Sequence, residues 1–233
     1  MNIKLDGVHF SYGSQVILKD VTTTIDPGTF VCLLGINGAG KSTLFQLMTG
    51  HIKPNRGRIL IGNRDTSLMR ERDTAHHFAV LPQGVSEPPY LSVRELVALG
   101  RFRPGNKLSW RLSESDLEIV DESLRRCGVE HMAHRTFTQL SGGEKQRAWL
   151  AFCLAQQKEF LLLDESLYAL DFSARRTFFS LLSDLATEGI GILLTTHDLG
   201  LAEEFASRFL VLQDSTLAYD GLPISDLRWR LTI

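Results

Sequence analysis

A glycine-rich run between an apolar segment and a helical pattern is the feature that most constrains how this chain can fold. Residues Gly35–Ser42 fit the pattern G-x-x-x-x-G-K-[ST]. Phe30–Leu34, just before it, is a continuous apolar run that predicts a buried strand. Thr43–Thr49, just after it, carries apolar residues at a helical spacing and is followed by Gly50. This order predicts an α/β core built around a phosphate-binding loop.

The chemistry of the loop supports the same interpretation. Glycines let the backbone wrap closely enough for N–H groups to face phosphate oxygens, and the helix that begins there adds partial positive charge. Lys41 can neutralise the β- and γ-phosphates, and the Ser42 hydroxyl can ligate Mg²⁺. The loop therefore predicts that the protein binds a nucleoside triphosphate. The predicted binding residues of the loop are Gly35, Asn37, Gly38, Gly40, Lys41, Ser42 and Thr43.

Two acidic residues follow a second apolar run, Phe160–Leu163. A strand parallel and adjacent to the first would place Asp164 beside Lys41 and Ser42, where it can hold Mg²⁺ through water. Glu165, the next residue, can orient and polarise a water for in-line attack on the γ-phosphate. A base positioned in this way typically contributes about 10²–10⁴ in rate. The two acids therefore predict hydrolysis of the bound nucleotide.

Two further polar side chains come at the ends of predicted strands. His197 follows the run Ile192–Thr196 and can hydrogen-bond the γ-phosphate or the catalytic base. Gln83 ends the run Ala79–Gln83 and could reach the metal, although a glutamine alone indicates little. We expect both side chains at the carboxyl edge of the sheet, near the nucleotide.

A second anion site is predicted at Leu140–Arg147, just before a helix expected over Ala148–Gln157. Ser141, Gly142 and Gly143 supply a hydroxyl, two glycines and backbone N–H groups at a helix N-terminus. In a sheet of this kind the segment cannot fold back onto its own phosphate loop. A second copy of the chain would therefore supply the nucleotide that this segment contacts.

Short strands alternate with helical patterns along the chain. Residues 2–10 and 16–25 alternate apolar and polar and predict an N-terminal antiparallel pair. Capping-box patterns at Ser92–Glu95 and Ser113–Asp116 predict helices in a charged middle region. We expect an α/β fold with a mostly parallel sheet, an N-terminal antiparallel β region and a helical insert subdomain. The expected single domain has a core of about 1–89 and 158–233 and a helical subdomain of about 90–157.

Charge and composition exclude other classes of protein. The chain has 233 residues and a net charge of −2, so it lacks the basic surface expected of a protein that binds nucleic acid. No apolar run approaches the ~18–20 residues that cross a bilayer, so work at a membrane requires a membrane partner. Cys32, Cys127 and Cys153 lie in apolar surroundings and predict reduced core thiols rather than a disulfide or metal site.

In their order along the chain, these motifs resemble the ATP-binding cassette family, the ATPase subunits of ABC transporters. The resemblance spans essentially the whole chain and rests on residues 35–42, Gln83, 140–147, Asp164–Glu165, Ala169–Asp171 and His197. It implies ATP and Mg²⁺ as cofactors. The implied metal ligands are Ser42, Gln83 and Asp164, and the implied catalytic residues are Glu165, His197 and Gln83.

The resemblance also implies a dimer and further contacts to nucleotide. Tyr12 would stack on adenine. In the family's head-to-tail dimer, Ser141 and Gly143 would lie against the γ-phosphate held by the partner's Lys41. The implied nucleotide-binding set beyond the phosphate loop is Tyr12, Ser141, Gly142, Gly143 and Asp171.

One segment departs from the family pattern. The family usually has Asp-Glu-Pro-Thr where this chain has Asp164-Glu165 followed by Ser166-Leu167-Tyr168. Both acids are present, so the resemblance still implies hydrolysis. Without the proline the connection to Asp171 loses a fixed φ angle, which leads us to expect altered coupling between the two copies.

Two segments indicate what the ATPase energises. Tyr90–Gly105 and Leu140–Ala151 resemble the ATPase subunits of importers for iron-siderophore, haem or cobalamin. That resemblance implies membrane-embedded permease subunits, an indirect substrate-binding protein, and a position at the cytoplasmic face of the cell membrane. Pro88–Leu91 would form an apolar lip for a short permease helix. A manganese/zinc importer, another class of ABC transporter and a soluble cluster-assembly ATPase remain as alternatives, whereas a P-loop kinase does not explain Ser141–Gly143.

Overall fold

The structure is a computed structural model that describes residues 1–82, 84–102, 112–164 and 171–224. The strands are β1 (Ile3–Tyr12), β2 (Gln15–Ile25), β3 (Phe30–Leu34), β4 (Arg56–Ile61), β5 (Arg64–Asp65), β6 (Phe78–Leu81), β7 (Phe160–Leu163), β8 (Gly191–Thr195), β9 (Arg208–Gln213) and β10 (Thr216–Gly221). The helices are α1 (Lys41–Met48), α2 (Glu71–Ala75), α3 (Val93–Leu99), α4 (Glu114–Arg126), α5 (Gly142–Ala155), α6 (Phe172–Thr187) and α7 (Leu199–Phe205).

A mostly parallel six-stranded sheet forms the centre of the molecule, as predicted. Its order is β10-β9-β3-β8-β7-β6, and only the edge pair β9–β10 is antiparallel among its described strands. Every residue of β3, β7 and β8 is buried, because layers cover both faces of the sheet. Alternate residues of β3 enter different cores: Val31 and Leu33 join one apolar cluster, while Cys32 and Leu34 join the other.

The sheet order corrects one expectation about the site. The strand that precedes Asp164 was expected to lie next to the strand that precedes the phosphate loop. Instead β8 lies between β3 and β7 and pairs in parallel with both. The connection between two parallel strands must cross over a face of the sheet. The connection that leads to β7 places this strand one position further from β3 than expected.

The N-terminal antiparallel β region is confirmed and is larger than the predicted pair. β1 pairs antiparallel with β2 and with β4, giving the order β2-β1-β4-β5. Ile3, Leu5 and Ile59 from these strands are fully buried and pack in one cluster with Leu44 and Leu47 of α1. The phosphate-loop helix is therefore held between the antiparallel sheet and the parallel one.

The middle of the chain is helical where it is described. α3 packs on α5 and on α4, and Ser92 and Ser113 form the two predicted capping boxes. The prediction that α5 begins at Ala148 is wrong, because Ser141 and Glu144 form a third capping box that starts the helix at Gly142. The division of the chain into a core and a helical subdomain stays a prediction.

One buried ion pair joins the three helices. Arg101, which follows α3 and has a side chain 5% exposed, donates from Nε to Asp116 Oδ1 at 2.9 Å. Its Nη1 donates to the backbone oxygen of Ala155 at the end of α5, at 2.7 Å. A buried guanidinium needs such partners, so this pair fixes how α4 and α5 meet.

The three cysteines are free and buried, as predicted for core thiols. Burial raises the pKa of each thiol, that of Cys153 to about 12. These thiols are therefore protonated at neutral pH and unreactive. Separately, none of the helices within the described ranges is long and apolar enough to span a bilayer.

Candidate nucleotide site

The phosphate loop, Asp164 and His197 lie at the carboxyl edge of the parallel sheet. β3, β8 and β7 end side by side, and the chain leaves them at Gly35, Thr196 and Asp164. In open parallel sheets this edge is the usual place for a bound ligand. The order of strands therefore brings the phosphate loop, Asp164 and the loop with His197 together.

The phosphate loop is shaped by two glycines at which no other residue fits. A Cβ at Gly35 would lie 2.6 Å from the backbone oxygen of Leu212 on β9. Gly40 has φ of 100° and is the N-cap of α1, where a Cβ would lie 3.0 Å from Cγ2 of Ile17. The loop can therefore turn tightly against β9 and β2 only with glycine at these positions.

The start of α1 is available to an anion. Unlike α3, α4 and α5, this helix has no side-chain cap in the described part of the chain, and no acid lies in its first turn. The N–H groups and the partial positive charge at such a helix start suit a phosphate. Asn37 and Gly38 are exposed at the top of the loop, and Thr43 is half-buried in the first turn of the helix.

Lys41 is already oriented by the loop. Its side chain is buried, and Nζ donates to the backbone oxygens of Gly35 at 2.8 Å and Ile36 at 3.2 Å. The ammonium group is thus held over the loop at the start of α1. A phosphate bound in the loop would find this charge in place, which suits the predicted role of Lys41.

Asp164 reaches the phosphate loop although β7 is not adjacent to β3. The Ser42 hydroxyl donates to Asp164 Oδ2 at 2.7 Å, and the Thr195 hydroxyl donates to Asp164 Oδ1 at 2.7 Å. Thr195 is the last residue of β8, the strand that separates the other two. The carboxylate is therefore held by one hydroxyl on each oxygen.

The oxygen atoms of Ser42 and Asp164 fit a magnesium site. Mg²⁺ prefers oxygen ligands, keeps several waters and binds through one or two protein groups plus phosphate oxygens. Ser42 is exposed and Asp164 is partly exposed, so both are open to a ligand from solvent. The described residues contain no group of three or more His, Cys, Asp or Glu that would hold a metal alone.

His197 lies between β8 and α7 and is exposed. The next residue, Asp198, accepts a hydrogen bond from the N–H of Leu201 at 3.1 Å and thereby caps α7. Asp198 Oδ2 also lies 2.9 Å from Nη1 of Arg175 on α6. His197 thus lies at the carboxyl edge, and its contact with the γ-phosphate or the base stays a prediction. The ion pair, which the sequence did not predict, fixes the loop that carries His197.

Tyr12 lies at the end of β1, beside the helix of the phosphate loop. Its ring is 50% exposed and packs edge-on against Phe10 with a centroid separation of 4.8 Å. The hydroxyl donates to Oε1 of Gln46 on α1 at 3.2 Å. An exposed ring supported from behind is suited to stacking, and the contact with adenine stays a prediction.

The serine–glycine run forms the first turn of α5. Ser141 Oγ accepts from the Glu144 N–H at 3.4 Å, and Glu144 Oε2 accepts from the Ser141 N–H at 2.7 Å. The hydrogen bond from the Ser141 backbone N–H, and next one from the Ser141 side chain, lower the pKa of the Glu144 carboxyl. Ser141 and Gly142 are exposed, and Gly143 is partly exposed. This helix start is thus rigid and faces solvent, as a contact to a second copy requires.

Asp171 begins α6 in the same way. Its Oδ1 accepts from the Ala174 N–H at 2.8 Å, which makes it the N-cap of the helix. A Cβ at Gly143 would lie 3.2 Å from Cβ of Ala174, so the starts of α5 and α6 are in close contact. The N-cap hydrogen bond gives Asp171 a structural role at the start of α6, and its contact with nucleotide stays a prediction.

Several predicted positions lie outside the described residues. They are Gln83, Glu165, the departing segment Ser166–Tyr168, and Ala169 and Leu170. Glu165 directly follows Asp164, and Gln83 lies two residues after the end of β6. The roles predicted for these residues stay predictions.

Comparisons with known proteins agree with the motifs. The profile of the family described as ABC transporter matches residues 18–168. The petrobactin import ATP-binding protein FpuC of Bacillus anthracis is 37% identical over 224 residues, covering 95% of this chain and 81% of that protein. The hemin import ATP-binding protein HmuV of Bordetella bronchiseptica is 35% identical over 232 residues, covering 96% and 87%.

A solved structure gives the same result for the fold. A dimeric bacterial ABC transporter cassette has a TM-score of 0.78 and 28% identity to this chain, covering 96% of this chain and 99% of that one. The resemblance inferred from the motifs is confirmed by these matches. The chain therefore belongs to the ABC transporter family, as one of its ATP-hydrolysing subunits.

Proposed function

We propose that this chain binds Mg²⁺ and ATP at the carboxyl edge of its parallel sheet and uses the hydrolysis of ATP to drive import of an iron chelate. The observation that carries the proposal is the 2.7 Å hydrogen bond from the Ser42 hydroxyl to Asp164. It joins the phosphate loop to the acid at the end of β7, two parts of the chain separated by 122 residues. In P-loop NTPases a loop serine and an aspartate of this kind hold the Mg²⁺ that neutralises charge on the phosphates.

Each residue of the site has a distinct role in the proposal. Lys41 and the first N–H groups of α1 bind the phosphates, and Ser42 and Asp164 hold the metal. The metal neutralises charge on the phosphate oxygens. Glu165 orients and deprotonates the attacking water, and His197 hydrogen-bonds the γ-phosphate or that base. Gln83 would be a further ligand of the metal.

The second copy of the chain completes each site. Ser141 and Gly143 of one copy would face the γ-phosphate held by the partner's Lys41. The capping box occupies the N–H groups of Ser141 and Glu144, which leaves those of Gly142 and Gly143 to face a phosphate. The exposure of this helix start and the dimeric state of the similar cassette support the arrangement.

Membrane partners follow from the same proposal. The similar proteins are named as ATP-binding proteins for petrobactin and hemin import, which favours an importer over a cluster-assembly ATPase. Permease subunits would carry the chelate across the membrane, and a substrate-binding protein would deliver it. The chain would act at the cytoplasmic face, with Tyr90, which is 90% exposed, in the apolar lip that contacts the permease.

Uptake by cells tests the proposal. Cells that lack this chain would be supplied with ⁵⁵Fe as a ferric siderophore or as haem, and then complemented with the wild type or Asp164→Asn. We expect uptake of one of these chelates to require the chain and to be restored by the wild type only. Asp121→Asn, which removes an exposed ion pair with Arg94, is the matched control and should restore uptake. Undiminished uptake of both chelates without the chain would contradict an iron-chelate importer.

A further inference from the structure

Thr195 places a hydroxyl at the end of strand β8, which is otherwise apolar. The preceding residues of β8 are Gly191, Ile192, Leu193 and Leu194, and Thr195 itself is 1% exposed. A buried hydroxyl is costly unless it is hydrogen-bonded. The Thr195 hydroxyl donates to Oδ1 of Asp164, the acid that follows the neighbouring strand β7, at 2.7 Å. The hydroxyl of Thr195 therefore serves the proposed metal site rather than the packing of the apolar core.

The position of β8 explains why a hydroxyl is needed there. β8 separates the phosphate-loop strand from β7, and Thr195 pairs with Leu33 of β3 in the sheet register. Thr195 thus ends the strand that lies between Asp164 and the phosphate loop with Ser42. The torsion that rotates a carboxylate about its own axis is broad and weakly restrained. Hydrogen bonds at both oxygens, from Ser42 and Thr195, restrict that rotation.

We infer that Thr195 is a positioning residue for the metal site. Its hydroxyl holds Oδ1 of Asp164 and leaves Oδ2 directed toward Ser42, the residue with which Asp164 would hold the magnesium ion. The inference rests on the proposed function, in which Ser42 and Asp164 hold the metal. Partners of this kind, one step removed from a metal, commonly change metal affinity by 10–100-fold when they are removed.

The adjacent threonine has a different task. Thr196 is also buried, but its Oγ1 accepts from the N–H of Asp198 at 3.0 Å and so belongs to the turn that precedes α7. Two neighbouring buried threonines therefore serve different loops. Of the two threonines, Thr195 is the one whose hydroxyl donates to the carboxylate of Asp164.

Binding of Mn²⁺ to the full chain tests the inference without relying on turnover. Electron paramagnetic resonance would measure Mn²⁺ affinity in the presence of a saturating non-hydrolysable ATP analogue. Thr195→Val keeps the branched shape and removes the hydroxyl, and we expect it to weaken Mn²⁺ binding by about tenfold. Thr195→Ser keeps the hydroxyl and should bind within about threefold of the wild type. Thr195→Ala is a second variant without the hydroxyl, with the same expected loss, in case the valine variant does not fold.

The matched control is Ser123→Ala in α4. It removes an equally short hydrogen bond, 2.7 Å to the backbone oxygen of Ile119, from a buried serine in the helical region. We expect its Mn²⁺ affinity to equal that of the wild type. At saturating Mg²⁺, the kcat of Thr195→Val for ATP hydrolysis should approach that of the wild type, because the defect lies in metal binding.

Two kinds of outcome would overturn the inference, and they are distinguishable. If wild-type affinity for Mn²⁺ persists in Thr195→Val or Thr195→Ala, or if Thr195→Ser is as weak as Thr195→Val, Thr195 does not position the metal site. If the wild type shows no nucleotide-dependent Mn²⁺ binding, or if Ser42→Ala binds Mn²⁺ as the wild type does, the proposed metal site itself is wrong. The role of Thr195 falls with it.

Discussion

Arg175 Nη1 lies 2.9 Å from Oδ2 of Asp198, which ties the first turn of α6 to the loop that carries His197. The same helix is capped by Asp171, six residues beyond Glu165 in the chain. Residues 165–170 therefore connect the acidic end of β7 to a helix that also restrains the histidine loop. A change in the backbone conformation of residues 165–170 should therefore affect both Asp164 and the loop that carries His197.

We expect Ser166→Pro to change coupling between the two copies more than it changes binding. Proline would restore the fixed φ angle that the family usually has after the two acids. The phosphate loop and Lys41 are remote from this change along the chain, so ATP affinity should stay within about twofold. Turnover at protein concentrations where the dimer forms should change measurably. An unaltered turnover would mean that the departure from the family pattern has no consequence for coupling.

Glu165→Gln should separate binding from hydrolysis. The amide keeps the shape of the side chain but cannot accept the proton of the attacking water, so turnover should fall by about 10²–10⁴. Binding of ATP should be retained because the phosphate loop and Asp164 are intact. With Mg²⁺ and ATP the variant should elute as a dimer on size exclusion. Hydrolysis at the wild-type rate would show that Glu165 is not the base.

Gly35 tests the shape of the phosphate loop. Gly35→Ala places a Cβ 2.6 Å from the backbone oxygen of Leu212, and neither backbone can yield easily. We expect a loss of about 2–4 kcal/mol in the free energy of unfolding, measured with urea. Gly38→Ala is the control, since its φ of 83° is also unfavourable but nothing lies within 4 Å of the added Cβ. It should lose only about 1–2 kcal/mol, and equal losses would contradict the predicted contact.

The sequence predicted the phosphate loop and the acid that meets it because these motifs are local. Gly35–Ser42 requires only a strand, a loop and a helix in succession, and the apolar runs before Asp164 and His197 are short and unbroken. The order of strands is a long-range property of crossovers, and local patterns do not determine it. For that reason the sequence placed Asp164 on a strand next to β3 and missed Thr195 on the strand between them.

The start of α5 was misplaced for a different physical reason. Gly142 and Gly143 have poor helix propensity, so the pattern favoured a helix from Ala148. The capping box between Ser141 and Glu144 outweighs that propensity and begins the helix at Gly142. A serine followed three residues later by glutamate is visible in the sequence and is the signal that would have given the correct boundary.

The ion pair of Arg101 with Asp116 should dominate the stability of the helical region. Asp116→Asn leaves the buried guanidinium without its carboxylate, and we expect a loss of about 2–4 kcal/mol in the free energy of unfolding. Asp121→Asn breaks the exposed ion pair with Arg94 and should lose less than about 1 kcal/mol. Urea unfolding at neutral pH distinguishes the two variants. Equal losses in the two variants would mean that the burial of Arg101 does not make its ion pair more important for stability than the exposed one.

The same carboxyl group gives a dependence on pH. Hydrogen bonds from Ser113, and next from Arg101, lower the pKa of Asp116 below its ordinary value of 3.8. A lowered pKa in the folded state adds stability that is complete above the unfolded-state pKa and is lost as pH falls through the folded-state pKa. Stability of the wild type should therefore decline below about pH 5, and Asp116→Asn should decline less steeply there. Parallel slopes for the two proteins would contradict the assignment.

Turnover measured against protein concentration tests the central claim most directly. The claim is that Ser141 and Gly143 of one copy complete the site that contains Lys41, Ser42 and Asp164 of the other. With saturating Mg²⁺ and ATP, ATP turnover per mole of chain should rise with protein concentration below the dissociation constant of the dimer and then level off. Turnover per mole that is constant from dilute monomer to concentrated dimer would show that one copy holds a complete active site.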